Sequence, residues 1–171
     1  MGDFVIGIGA NLGPREDTLA SAANALGSLA GVELRALSSV YESDAVGPPQ
    51  PRFLNAAVRI ESMLSAPALF ERLLAIEAAH GRVRVLRWGP RTLDLDILWC
   101  DAPVSSTQLT VPHASLHERT FALAPLLDVA PELAPIYSST LAALGGAPAR
   151  HGRLVLRATP ELAGVHFEGA L

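Results

Sequence analysis

The segment 92–97 contains the carboxylates with the clearest potential for chemistry. Its sequence, TLDLDI, alternates polar and apolar residues, which is typical of a β-strand with one buried face. Residues two apart in a strand point the same way, so Asp94 and Asp96 are predicted to share one face with Cα atoms about 6 to 7 Å apart. Oxygen ligands in this arrangement suit Mg²⁺, and paired Mg²⁺ ions recur in phosphoryl transfer. The alternative is an ordinary strand with a solvated acidic face.

The loop before this strand is strongly basic, although the net charge of the chain is −4. Residues 82–91 contain Arg82, Arg84, Arg87 and Arg91 and no acidic residue. Arginine binds phosphate oxygens in pairs, so the loop is predicted to form an anion site beside the carboxylates. Trp88 is an aromatic residue that could close over a ligand there. The alternative is a solvated charged loop.

Two isolated polar residues could also contact a ligand. Asn55 lies in the otherwise apolar segment FLNAAV, where its amide could pair with the edge of a heterocycle or with nearby backbone. His113 follows a Val-Pro pair at a predicted strand end, where it could contact a phosphate or remain a surface histidine.

Glycines near the N-terminus have a spacing that resembles a nucleotide-binding motif but does not match it. Gly7, Gly9 and Gly13 follow the pattern G-x-G-x-x-x-G, which is one residue longer than the dinucleotide motif. We therefore expect them to permit a tight turn from strand to helix, with Asn11 tolerating an unusual backbone conformation.

Composition excludes several classes of function. The chain has 171 residues, 50% of them hydrophobic, which predicts one globular domain with a substantial core. All 13 cationic side chains are arginine, so P-loop and Schiff-base chemistry, which need lysine, are excluded in their usual form. The acidic balance argues against general nucleic-acid binding. The single cysteine, Cys100, excludes an intrachain disulfide and predicts a buried, inert thiol. Without a recognisable signal peptide or a long apolar run, the sequence favours a cytoplasmic protein.

The elements that must position these residues follow from hydrophobic periodicity. Strands are predicted over 4–8, 32–41, 53–60 and 93–99, and helices over 15–29, 67–80 and 116–127. The order βαββαβ indicates an α+β, ferredoxin-like fold with an antiparallel sheet, helices packed on it and an extra C-terminal helix. Residues 1–144 are predicted to form a single domain. Residues 145–171 are predicted to be a weakly ordered or peripheral tail, with a possible short strand at 154–156.

Five segments together resemble a known family. They are GIGANLG at 7–13, FLNAAV at 53–58, RWGPRTLDLDI at 87–97, LTVPH at 109–113 and ERTFALAPL at 118–126. From the first strand to about residue 133, the chain is similar to the 6-hydroxymethyl-7,8-dihydropterin pyrophosphokinases. The resemblance implies transfer of the β,γ-diphosphate of ATP to the pterin hydroxymethyl group, with release of AMP, in folate biosynthesis.

The same resemblance implies roles for residues at the phosphates. Asp94 and Asp96 would hold two Mg²⁺ ions. Arg82 and Arg91 would be catalytic with them, gripping the triphosphate and stabilising charge as the β phosphorus is attacked. Two further residues, His113 and Arg119, would contact other phosphate oxygens.

The resemblance also assigns residues to the two substrates. On the nucleotide side it implies Glu77, Ile97 and Thr110. On the pterin side it implies Ser43, Ala45, Val46, Phe53, Asn55, Trp88, Asp94 and Phe121. In that group Asn55 would bind the edge of the ring, while Phe53 and Phe121 would stack on its two faces.

The expected partners are therefore ATP and 6-hydroxymethyl-7,8-dihydropterin, with no nucleic acid, no membrane and no obligatory protein partner. Two alternatives remain open from the residues alone. One is a two-metal nucleotidyl transferase or cyclase on the same fold, which would attack the α phosphorus. The other is a non-catalytic ligand-binding module. The product released from ATP distinguishes them.

Overall fold

The computed structural model describes residues 1–82 and 89–156. The strands in these ranges are β1 (Gly2–Ala10), β2 (Val32–Leu37), β3 (Ser39–Ser43), β4 (Phe53–Ser62), β5 (Asp94–Cys100), β6 (Val104–Ser105), β7 (Thr110–Val111) and β8 (Ala149–Arg153). The helices are α1 (Arg15–Gly27), α2 (Ala66–Ala79), α3 (Thr120–Val129) and α4 (Ala134–Ala143), with 3₁₀ turns at Leu116–Glu118 and Pro131–Leu133.

The main sheet has the strand order β5-β1-β4-β3-β8, and β2 also pairs with β4. Every pairing in it is antiparallel. The first strand therefore lies between β5, which carries the carboxylate pair, and β4, which carries Asn55. The predicted ferredoxin-like α+β fold is confirmed.

Alternate side chains of β1 face opposite sides of this sheet, as the two-residue period of a strand requires. Phe4, Ile6 and Ile8 are buried in the core that also contains the apolar faces of α1 and α2. Val5 points to the other side, where it packs in a second core with Leu123 of α3. Helices thus cover both faces of the sheet.

The first helix follows the predicted periodicity but ends earlier than predicted. Leu19, Ala22, Ala23 and Leu26 form its buried face, and the helix ends at Gly27 instead of continuing to residue 29. A Cβ atom on Gly27 would lie 2.6 Å from Leu34 Cδ1, so this helix end packs closely against β2, and a larger residue there would require the Leu34 side chain to move.

The predicted strand 32–41 is broken in two. Ser38 interrupts it because the Ser38 hydroxyl accepts a hydrogen bond from the Ala57 amide at 2.8 Å and donates one to the Ser39 carbonyl oxygen at 2.6 Å. A side chain thereby replaces part of the backbone ladder. The register against β4 also shifts between Leu34 and Ala36.

The C-terminal part differs most from the sequence prediction. The helix expected over 116–127 begins as a 3₁₀ turn and becomes α-helical only at Thr120. Helix α4 was not predicted, because Tyr137 is its one buried residue and gives no periodic signal.

The tail also contains a strand, in a different place from the one expected. The strand predicted at 154–156 is wrong: the strand is Ala149–Arg153, which pairs with β3. All five of its residues are exposed, so the sequence has no alternation of buried and exposed residues here that could have predicted a strand. The strand forms because it pairs with β3 at the edge of the sheet. The domain boundary at residue 144 and the weakly ordered or peripheral character of residues 145–171 stay predictions.

Two smaller expectations also bear on the described residues. Cys100 is buried as predicted, and burial raises the pKa of its thiol. In the described ranges, no helix has both the length and the apolar character to span a membrane.

Candidate active site

The register of three neighbouring strands, β5, β1 and β4, assembles the site. Gly9 in β1 lies opposite Asn55 of β4 on one side and opposite Asp94 of β5 on the other. Gly7, two residues earlier on the same face, lies opposite Asp96. Residues far apart in the chain are therefore brought to one end of one sheet face.

Gly9 forms the floor between these two side chains. A Cβ atom there would lie 3.3 Å from Asn55 Oδ1, 3.7 Å from Phe53 Cδ1 and 3.9 Å from Asp94 Cβ. The prediction that Gly7 and Gly9 permit a turn is wrong, because both lie within β1. Gly13, with φ +66°, is the glycine that has the turn conformation.

A pocket opens above this floor, between the sheet and the chain around the start of α3. Its lining includes many of the predicted site residues: Ser43, Val46, Phe53, Asn55, Arg91, Asp94, Asp96, Arg119 and Phe121. Gly7, Gly9, Leu98, Ser115 and Glu118 line it as well, and the sequence did not indicate them as pocket residues.

The carboxylates of β5 share one face, as the alternation predicted. Asp94 and Asp96 line the pocket, whereas Leu95 and Ile97 between and after them are buried in the core of α1 and α2. Burial raises the pKa of Asp96, and the neighbouring Asp94 charge raises it further, while His113 and the nearby arginines oppose this.

Two arginines hold Asp94. Arg82 Nη1 lies 2.7 Å from Asp94 Oδ1, and Arg91 Nη1 donates a hydrogen bond to Asp94 Oδ2. Arg82 also forms an ion pair with Glu77. The predicted proximity of the basic loop to the carboxylates is therefore present in the folded chain for Arg82 and Arg91. Arg84, Arg87 and Trp88 lie outside the described residues.

Glu77 lies beneath the site and is only 2% exposed. Its Oε1 accepts a hydrogen bond from the Leu95 amide at 2.7 Å as well as pairing with Arg82. Burial raises the pKa of Glu77, and both of these partners oppose the shift. Glu77 thereby holds Arg82 next to Asp94. A contact between Glu77 and a nucleotide stays a prediction.

Asn55 and Ser43 are joined at the other end of the pocket. Asn55 Nδ2 donates a hydrogen bond to Ser43 Oγ at 2.9 Å, which orients the amide. Phe53 and Phe121 line the same pocket from β4 and α3. An oriented amide with aromatic residues around it is suited to a flat heterocycle with polar edges.

The remaining predicted residues lie around the pocket. Ser115 donates its amide hydrogen to His113 Nδ1 at 3.2 Å, so the neutral imidazole has its proton on Nε2. Thr110 is exposed in the short strand β7. Ile97 is buried in the core and only 2% exposed, and its contact with adenosine stays a prediction. Ala45 lies in the partly exposed loop between Ser43 and Val46.

Sequence reasoning missed the role of Asn11, which is 2% exposed. Its Oδ1 accepts the Arg91 amide hydrogen at 2.7 Å, and its Nδ2 donates to Gln50 Oε1 at 2.9 Å and to the Pro51 carbonyl oxygen at 3.0 Å. Asn11 thereby joins the end of β1 to both loops that border the pocket. The signal in the sequence was a buried amide directly after an apolar strand, since such an amide needs several partners.

The donor set suits a magnesium ion that a substrate helps to bind. In the described ranges, no group of three or more His, Cys, Asp or Glu side chains could hold a metal by itself. The pair Asp94 and Asp96 supplies hard oxygen ligands on one face. Mg²⁺ sites of this kind are completed by water and by phosphate oxygens of the substrate.

The fold and the pocket together define an α+β protein with a small-molecule site that combines paired carboxylates with arginines. A family model described as 7,8-dihydro-6-hydroxymethylpterin-pyrophosphokinase (HPPK) matches residues 5–131. The chain belongs to this family and is an enzyme of the diphosphotransferase class. The resemblance inferred from the five sequence segments is confirmed. The family uses ATP as co-substrate and acts in folate biosynthesis.

Curated relatives agree with this assignment. A 2-amino-4-hydroxy-6-hydroxymethyldihydropteridine pyrophosphokinase of Synechocystis sp. is 45% identical over 129 residues, which cover 75% of this chain and 66% of the relative. The corresponding protein of Methylorubrum extorquens is 43% identical over 130 residues, which cover 75% of this chain and 82% of the relative.

Solved structures support the fold. An HPPK-DHPS in complex with substrates superposes with a TM-score of 0.57 at 12% identity, covering 77% of this chain and 42% of that one. Plasmodium falciparum HPPK-DHPS gives a TM-score of 0.55 at 13% identity, with 77% of this chain and 40% of that one covered. This chain therefore spans less than half of these two longer proteins.

Proposed function

We propose that this protein transfers the β,γ-diphosphate of ATP to 6-hydroxymethyl-7,8-dihydropterin. The hydroxymethyl oxygen forms a bond to the β phosphorus and loses its proton. The bond between that phosphorus and the α,β-bridging oxygen breaks, and AMP leaves with the bridging oxygen. The products are AMP and the pterin diphosphate.

One observation carries this proposal: Gly9 separates Asn55 from Asp94 in the same sheet. A ring bound at Asn55 would lie over a residue without a side chain, with its substituent directed toward the carboxylates. Phe53 and Phe121 line the same pocket and would pack on the faces of that ring. The backbone at Ser43, Ala45 and Val46, together with Trp88, would complete the pterin site.

Asp94 and Asp96 would hold two Mg²⁺ ions at the opposite end. Bound there, the ions would neutralise phosphate charge and orient the oxygens for an in-line displacement. The support for this is the shared strand face, the oxygen chemistry of the pair and their place in the pocket lining.

Arginine and histidine side chains would bind the triphosphate. Arg82 and Arg91 lie against Asp94, so they are within reach of phosphates that bind to the same metal. Arg119 lines the pocket, and the Nε2 hydrogen of His113 is the one available for a phosphate oxygen. These cations would stabilise charge that develops on the transferred group. Glu77, Ile97 and Thr110 would complete the nucleotide side.

The test is the identity of the product. The full chain is incubated with ATP, Mg²⁺ and the hydroxymethyl pterin, and the nucleotides are separated by chromatography. We expect AMP and pterin diphosphate in equal amounts, and no AMP when a 6-methyl pterin without the hydroxyl group is substituted. Release of pyrophosphate would instead identify a nucleotidyl transferase. Nucleotide binding that needs no Mg²⁺, without turnover, would identify a binding module.

The other expectations from the sequence stay predictions. They are a cytoplasmic location and action on these two small molecules without an obligatory protein partner.

A further inference from the structure

Both carboxylate oxygens of Asp94 are engaged by different arginines. Arg82 Nη1 lies 2.7 Å from Oδ1, and Arg91 Nη1 donates to Oδ2. An oxygen that already pairs with a guanidinium is a poor ligand for a divalent cation, because the two positive charges would lie within a few ångströms of each other. A cation that binds Asp94 must therefore displace an arginine.

The two arginines differ in how firmly they are held. Arg82 is 10% exposed in its side chain and bridges Asp94 to Glu77, which is itself bonded to the Leu95 amide. Removing Arg82 from this position would leave the buried carboxylate of Glu77 without its cation, which is strongly unfavourable. Arg82 is therefore expected to stay in place.

Arg91 has a freer side chain on a fixed backbone. Its side chain is 29% exposed and lines the pocket. Its amide donates to Asn11 Oδ1 at 2.7 Å, and its carbonyl oxygen accepts the Asn11 amide hydrogen at 3.1 Å. The guanidinium can thus leave Asp94 by side-chain rotation alone, while the backbone that determines its reach remains in position.

We propose that Arg91 and a divalent cation compete for Oδ2 of Asp94, so that cation binding releases the Arg91 guanidinium into the pocket. This rests on the proposed function, in which Asp94 is a metal ligand and the pocket binds a triphosphate. Before the cation binds, Arg91 neutralises Asp94. After the cation has bound, the positive charge of Arg91 is available to phosphate oxygens. Binding of the cation and binding of the polyphosphate therefore each favour the other.

The proposal is tested by cation binding to the free enzyme, with no nucleotide present. Mn²⁺ affinity is measured by isothermal titration calorimetry and by the electron paramagnetic resonance of free Mn²⁺, for the wild type and for Arg91→Gln. We expect Arg91→Gln to bind Mn²⁺ about tenfold more tightly, because it removes a competing positive charge next to the ligand oxygen. The double variant with Asp94→Asn should lose that gain.

A matched control separates this effect from a change in net charge. Arg35→Gln also removes one arginine and also frees carboxylates, since Arg35 pairs with Glu33 and Glu61 on the surface. Its Mn²⁺ affinity should equal that of the wild type. If Arg91→Gln binds Mn²⁺ no more tightly than the wild type, or if Arg35→Gln gains as much, the competition does not exist.

A second measurement uses the unaltered protein and does not depend on the folding of a variant. The side-chain ¹⁵N signals of arginine are followed by nuclear magnetic resonance while Mg²⁺ alone is added. The Arg91 signal should shift and sharpen, and the Arg35 signal should not change. An unchanged Arg91 signal at saturating Mg²⁺ overturns the proposal.

These outcomes are independent of the reaction itself. Tighter Mn²⁺ binding by Arg91→Gln, together with no pterin-dependent AMP from the wild type, would uphold the competition and reject the proposed function. AMP formation by the wild type, together with unchanged Mn²⁺ affinity in Arg91→Gln, would uphold the proposed function and reject the competition.

Discussion

Asn11 and Arg91 are joined by two hydrogen bonds. The Arg91 backbone N–H donates to the side-chain oxygen Asn11 Oδ1 at 2.7 Å, and the Asn11 backbone N–H donates to the Arg91 carbonyl oxygen at 3.1 Å. The end of β1 is thereby fixed to the residue from which a guanidinium reaches Asp94. The Asn11 side-chain nitrogen Nδ2 also donates hydrogen bonds to Gln50 Oε1 and to the Pro51 carbonyl oxygen. One side chain therefore links the segments on both sides of the pocket.

Replacing Asn11 with alanine should therefore affect both stability and activity. The variant leaves the Arg91 amide and the Pro51 carbonyl oxygen without their partner, and the free energy of unfolding should fall by about 2 kcal/mol. Urea denaturation measures this change. The kcat for AMP formation should fall as well, because the Arg91 backbone loses one of the two hydrogen bonds that fix it. Gln108→Ala removes an amide from an exposed residue and serves as the control. Equal stability of the two variants would contradict the role of Asn11.

Gly9→Ala should weaken pterin binding. The added Cβ atom would lie 3.3 Å from Asn55 Oδ1, so the amide must move from the position in which it faces the pocket. We expect the Kd of the pterin, measured by calorimetry, to rise about tenfold, as overpacking at a defined site typically costs 1 to 3 kcal/mol.

Gly152→Ala is the matched control, since an added Cβ there has no atom within 4 Å. The control should bind the pterin like the wild type. A Gly9→Ala protein with unchanged pterin affinity would show that the space above Gly9 is not where the ring binds.

Asp96→Ala should abolish most of the turnover. The variant removes half of the carboxylate pair, and we expect kcat for AMP formation to fall roughly a hundredfold or more, a loss typical of removing one group that stabilises transition-state charge. Asp101→Ala, at an exposed residue just beyond β5, should keep its activity. Near-normal turnover of either Asp96→Ala or Asp94→Ala would mean that the metal assignment is wrong.

Tyr41→Phe should lower stability near neutral pH but less so at alkaline pH. Its hydroxyl donates to Asp128 Oδ2 at 3.0 Å, so losing this hydrogen bond should cost about 1 to 2 kcal/mol at pH 8. Burial, followed by smaller effects that include Asp128, raises the pKa of Tyr41 above its usual value of 10.0. The stability that the neutral hydroxyl provides is therefore complete below pH 10 and is lost as the pH rises further.

The measurement is urea unfolding of both proteins at pH 8 and at pH 11. The wild type should be the more stable at pH 8, and the difference should shrink at pH 11. The other tyrosine, Tyr137, is present in both proteins and cancels in the comparison. A difference that grows with pH would contradict the assigned direction of the pKa shift.

The sequence by itself determined the elements and the chemistry that each could carry. The alternation around Asp94 and Asp96 predicted their common face, because side-chain direction in a strand depends only on the chain's own two-residue period. The spacing of apolar residues located α1 and α2 to within two residues at each end. The five segments identified the family, since each combines unusual residues at fixed spacing.

Only the tertiary structure decided which of these residues meet. Gly9 lies between Asn55 and Asp94 because three strands pair in one register, and no local pattern specifies that register. The partners of Asn11 and the pairing of Arg91 with Asp94 likewise depend on where separate loops converge. Strand β8 exists because β3 offers it an edge. Local periodicity is encoded residue by residue, whereas these contacts join distant segments and arise only when the sheet has formed.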